Sequence, residues 1–154
     1  MTIEDDIAFL ERIPSLRLLG RDALRILAIG AESRDIHEGM SLFGEGDDAD
    51  CAYVVQEGSF ELVAEKSAIA PSVVGPGTLI GETALFTGAT RTAAAIAREP
   101  STVVRIPRQL FLKMLEGYPD AARRMRDAIA GKVSQTAGEL TRVRDSLVRG
   151  PLRR

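Results

Sequence analysis

This 154-residue chain has no tryptophan, one cysteine, one histidine and 5% aromatic residues. A lone Cys51 cannot close an internal disulfide, which predicts a reducing compartment and a cytoplasmic location. A lone His37 leaves no His/Cys cluster for zinc and no His-rich metal site of the kind a barrel metalloenzyme uses. A Ser-His-Asp triad would rest on His37 alone, and no G-x-S-x-G nucleophile motif occurs. No metal, no cofactor and no catalytic residue are therefore expected. There is no run of about 18 apolar residues to span a membrane. The opening MTIEDDIAFLERI is acidic where a signal peptide is basic, so none is expected. Nor does one sign of charge dominate: 20 Lys and Arg face 22 Asp and Glu, for a net charge of −2. That balance argues against a whole-surface affinity for nucleic acid.

What is present is globular. Hydrophobic residues make up 45% and charged residues 27%, enough for one ordinary domain. The charge is uneven. From Pro119 onward nine Arg and Lys stand against four Asp and Glu. A solvated helix face explains such a basic run, and a partner surface is its functional alternative.

The patterning divides the chain. Residues 1–32 read as a helical segment, with Ile7, Leu10, Ile13, Leu16, Leu24 and Leu27 at three- and four-residue steps. Pro14 and Gly20 break it, predicting two short helices with a turn around residues 14–21 and Asp22 as first-turn acid or cap. From 33 to 107 the character changes, and eight of the 14 glycines fall between residues 39 and 88. Short β-branched and aromatic runs lie between them, pointing to a small Gly-rich antiparallel β-barrel or jelly roll. Within it GETALF does not alternate and suits one or two turns of helix. Residues 108–149 return to helix, first as a short face of Leu110, Phe111, Met114 and Leu115. A longer helix then carries Ala122, Met125, Ile129, Val133, Thr136, Leu140, Val143 and Leu147, close to a heptad seam. This seam is packed as a lid or pairs with a second copy. Residues 150–154 are expected to fray. The fold expected is thus mainly β, with N-terminal helices and a long C-terminal helix.

The stretch carrying chemistry is GPGTLIGETALFTGATRTAAAIA, residues 75–97. A short helix after Gly81 presents backbone N–H groups, and Gly81 lets a ligand approach the main chain. Arg91 supplies a planar fork suited to a phosphate. Glu82 would repel that phosphate, so its natural partner is a hydroxyl such as a ribose 2′-OH. Together they describe a site for a sugar phosphate.

GETALFTGATRTAA (residues 81–94) resembles the phosphate-binding cassette of the cyclic nucleotide-binding domain family, the cassette itself being residues 81–93. FLERIPSLRLL, HEGMSLFGEGDDADCAYVVQEGSFEL, VVGPGTLIGE and STVVRIPRQLFLKML are similar to its flanking segments, so the resemblance covers roughly residues 7–125. It implies a double-stranded β-helix that binds cAMP or cGMP, with Glu82 on the ribose 2′-OH. Gly81 and the N–H groups of Thr83 and Ala84 would line the ribose-phosphate side. Arg91 would pair with the phosphate, assisted by Thr92. The base would lie against Leu62 or Val63 and Leu79, capped by a residue after Pro119 that the sequence does not name. Thr83 departs from the usual aliphatic and Thr90 from the usual proline. The function implied is a non-enzymatic sensor that signals to an effector protein through its C-terminal helices, as a homodimer. Two alternatives are a cAMP receptor-like regulator lacking its DNA-binding module and an interaction scaffold with an unused pocket. About 30 residues after Asp120 read as one helix, so no recognition helix and no specific DNA binding are expected.

Overall fold

A computed structural model describes residues 2–66, 70–86 and 88–128. Three helices open the chain: α1 (Ile3–Glu11), α2 (Pro14–Arg17) and α3 (Arg21–Gly30). Thr2 starts α1 with a reciprocal capping box, its side chain accepting from the Asp5 N–H. Pro14 does not merely break the helix. It occupies the first position of α2, where a missing N–H costs nothing, so three helices replace the two expected. Gly20 at φ +87° caps α3, and Asp22 sits in the first turn without a capping bond.

Eight strands follow: β1 (Glu32–Ile36), β2 (Ser41–Phe43), β3 (Cys51–Glu57), β4 (Phe60–Val63), β5 (Ser72–Val74), β6 (Leu79–Ile80), β7 (Ala94–Ala97) and β8 (Ser101–Pro107). They form two four-stranded antiparallel sheets, ordered β1-β8-β3-β6 and β2-β7-β4-β5. This is the jelly roll expected. Strands β1 and β6 have weak sequence signals. ESRDI is polar because it is an exposed edge strand, and Leu79–Ile80 is only two residues long. Helix α4 (Arg108–Gly117) follows β8 and packs on α3 and the 3-10 turn Glu82–Leu85, and residues 119–128 are helical. The seam from Ile129 to Leu147 lies outside the described residues.

The pleat of β3 divides the interior. Ala52 and Val54 face the helices, in a core with Leu10, Leu24, Leu27, Ile106, Phe111 and Met114. Cys51, Tyr53 and Val55 point the other way, between the sheets, with Phe60, Ile80, Ala97 and Val103. Burial on both faces explains why this strand reads as a continuous apolar run. At the β3–β4 turn Gly58 has φ +88°, and a Cβ there would overlap the Ser101 side chain.

Candidate functional site

The stretch from Ala89 to Arg91 leaves the barrel wall and ladders onto the β2–β3 loop. Arg91 N–H donates to the Asp47 carbonyl (2.7 Å), and Gly46 N–H donates to the Arg91 carbonyl (2.8 Å). Asp48 and Thr90 form a β-bridge, and Ala49 N–H donates to the Ala89 carbonyl at 3.2 Å. Arg91 is thereby fixed at the main chain, and its side chain turns inward. It is only 7% exposed.

Inside, Arg91 Nη2 donates to the Cys51 carbonyl (2.7 Å) and lies 3.4 Å from the Cys51 Sγ. Its Cζ is 4.2 Å from the centre of the Phe43 ring and 5.9 Å from that of Tyr53. Nε and Nη1 are buried without a hydrogen-bond partner among the described residues. Each such orphaned donor costs about 1–3 kcal/mol, so a site that keeps two of them is poised to receive acceptors. An anion with several oxygens is the species that satisfies a guanidinium best.

Two cavities meet at this point. One, of about 130 Å³, is lined by Arg91 with Phe43, Ala49, Leu62, Thr83 and Thr90 among others. The other, about 570 Å³ and open, is bounded by Ile13, Pro14, Gly77, Leu79 and Glu82 among others. Gly81, Thr83 and Thr92 border both. Glu82 and Arg91 therefore stand on neighbouring cavities joined by the cassette.

The cassette helix is a single 3-10 turn, Glu82–Leu85, entered through Gly81 at φ +77°. A Cβ at Gly81 would collide with Arg91 Nη1, so this glycine serves both the left-handed backbone and the room for the guanidinium. Ala84 N–H donates to the Gly81 carbonyl at 3.1 Å, the bond that closes the turn. Of the apolar residues expected near a base, Leu62 lines the smaller cavity and packs on the inner cluster, and Leu79 lines the open one. Val63 lines neither, because the pleat turns it away from Leu62's side.

Several residues that shape the site are missing from the sequence reading. Phe43, Cys51 and Tyr53 surround the guanidinium, and β-alternation from the buried Val55 places the last two inside. Arg108 opens α4 and reaches back across the barrel. Its Nε donates to the Ala84 carbonyl (2.6 Å), its Nη2 to the Ala49 carbonyl, and its N–H to the Asp50 carbonyl (2.8 Å). An arginine directly after a strand is the only signal it leaves. Burial pushes the Tyr53 hydroxyl pKa above its ordinary value, reinforced by the neighbouring Cys51 side chain.

The structure is thus a jelly roll with a buried arginine and a glycine-opened turn bordering one cavity. Residues 33–118, more than half of the chain, match the cyclic nucleotide-binding domain family, and the chain belongs to that family. It is similar to an uncharacterized NTE family protein of Mycobacterium tuberculosis, 31% identical over 127 residues. That match takes in 82% of this chain but 22% of the relative's length. Among solved structures it is similar to a cyclic nucleotide-binding-like protein from Brucella abortus, 39% identical, with a TM-score of 0.64. That alignment covers 73% of this chain and 98% of the other. It is also similar to the N-terminal domain of a transcriptional regulator from Streptomyces coelicolor, 28% identical with a TM-score of 0.77, over 86% and 94% of the two chains. Among the described residues no helix is long and apolar enough to cross a membrane, and no three His, Cys, Asp or Glu cluster as for a metal.

Proposed function

We propose that this chain is a regulatory module that binds a cyclic mononucleotide, cAMP or cGMP, and transmits its occupancy through the helices after β8. The observation that carries this reading is Arg91, 7% exposed with Nε and Nη1 unpaired beside a threonine-bearing cavity. A cyclic phosphate supplies the missing acceptors. Glu82, on the adjoining cavity, takes the ribose 2′-OH, and Thr92, which borders both, adds its hydroxyl. Thr83 lies along the same border. Ala84 N–H is engaged with Gly81, so it reaches the ligand only as the 3-10 turn opens. The base lies against Leu62 or Leu79. No bond of the ligand is made or broken, and the module is not itself an enzyme. The signal is a population shift, limited to the ligand's difference in affinity for two dispositions of the helices. The effector is another chain or a further segment, since the match with the mycobacterial relative spans 22% of that protein.

Calorimetry with a panel of cyclic mono- and dinucleotides tests this directly. Binding of cAMP or cGMP supports it, and binding of neither overturns it. The ribose contact is tested by a cycle. Glu82→Gln weakens binding by about 1.5–3 kcal/mol, since a charge-assisted hydrogen bond becomes a neutral one. A 2′-deoxy ligand shows a similar loss on the wild type and little further loss on the variant. Additive losses remove Glu82 from the hydroxyl.

A further inference from the structure

We infer that Phe43, with Tyr53 stacked beside it, is the positioning residue of this anion site. Its ring face holds the Arg91 guanidinium while leaving two of that group's donors free for the ligand. This rests on the reading of the site as one for a cyclic nucleotide.

Two requirements conflict at Arg91. A cation that is 7% exposed needs something to replace water, yet an anion-binding cation must keep its N–H groups available. A carboxylate partner would meet the first need and defeat the second, by consuming the donors and repelling the phosphate. An aromatic face resolves the conflict. It attracts the charge through its quadrupole and occupies the flat side of the guanidinium, leaving the in-plane N–H groups open. The geometry fits: Cζ stands 4.2 Å from the Phe43 centroid, and the Phe43 and Tyr53 rings lie 6.0 Å apart at 29°. Nη2 is pinned by the Cys51 carbonyl, so the fork cannot spin on the ring. Nε and Nη1 are the two donors that remain without partners among the described residues. Phe43 ends β2 opposite Ala95 and is only half-buried, with part of its surface lining the Arg91 cavity. A leucine would fill much of the same space but offer no quadrupole.

The test compares Phe43→Leu and Phe43→Tyr with the wild type. Probes are cAMP and cGMP, their uncharged nucleosides, and the NMR resonance of the Arg91 side-chain Nε–H. Phe43→Leu is expected to lower cyclic nucleotide affinity by about tenfold while changing nucleoside affinity little. Phe43→Tyr restores the affinity to within about threefold of wild type, because its ring face is retained. In an Arg91→Met background, where no cation lies on the ring, Phe43→Leu costs much less. The Arg91 Nε–H signal is displaced by the ring current in wild type and Phe43→Tyr, and returns toward its ordinary position in Phe43→Leu. Equal losses of cyclic nucleotide and nucleoside, or no loss at all, overturn the inference. If Phe43→Leu does not fold, the wild-type spectrum still decides, and an undisplaced Arg91 signal overturns the platform. If the wild type binds neither cyclic nucleotide, the functional reading fails while a displaced Arg91 signal still upholds the platform.

Discussion

At the scale of single residues the site is organised around a cost. Arg91 is buried with two donors unpaired among the described residues, a feature that opposes folding and that an anion would relieve. Replacing it by an apolar side chain of similar length should separate the two effects. Arg91→Met is expected to lose cyclic nucleotide binding by about 2–4 kcal/mol, yet to melt at or above the wild-type temperature without ligand. Thermal melts and titrations on the same samples check this, and a variant that melts well below wild type contradicts it. Tyr53 makes a second, independent prediction. Burial holds its hydroxyl pKa above the ordinary tyrosine value, so the folded protein keeps that proton more tightly than the unfolded chain does. The stability it contributes is complete below the unfolded value and is lost as pH rises through the folded one. Denaturant unfolding should therefore show stability falling above about pH 10, and Tyr53→Phe should flatten that alkaline limb. An unchanged limb in the variant assigns the loss to other groups.

At the scale of elements, the cassette turn and α4 are tied together by one side chain. Arg108 donates to carbonyls on both walls of the site, Ala84 of the 3-10 turn and Ala49 of the β2–β3 loop. Arg108→Met should cost about 2–3 kcal/mol of stability, the worth of such charge-assisted bonds, and should weaken ligand binding as the turn loses its tether. Equilibrium unfolding gives the first number and calorimetry the second, and a variant as stable as wild type removes the tether. This link shows where sequence reading ends. Gly81, Glu82 and Arg91 are legible because their chemistry is local and their spacing falls within one cassette. Phe43, Tyr53, Cys51 and Arg108 are not, because each meets the site through contacts between segments far apart in the sequence. Cys51 is joined to Arg91 across 40 residues, and Arg108 to Ala49 across 59. The β-barrel itself is legible from glycine spacing and β-branched runs. Strand β1 is not, since an exposed edge strand such as ESRDI carries no apolar alternation.

At the scale of the whole molecule, the jelly roll presents its site next to the opening helices and, through Arg108, to the helices that follow β8. The apolar seam of the sequence, Ile129, Val133, Thr136, Leu140, Val143 and Leu147, lies outside the described residues. The heptad spacing read from the sequence predicts pairing with the same segment of a second copy. A dimer of modest stability is predicted at micromolar concentration, lost when the chain is truncated after Gly131. Sedimentation of the full and truncated chains checks it, and a monomeric full chain contradicts it. The central claim, that Arg91 and Glu82 form a receptor for a cyclic nucleotide, faces its most direct test in one titration. Wild-type protein and Arg91→Met are measured by calorimetry against cAMP and cGMP. Saturable binding of at least one of them to the wild type, lost in the variant, is expected. Binding of neither, or equal binding by both proteins, would contradict it.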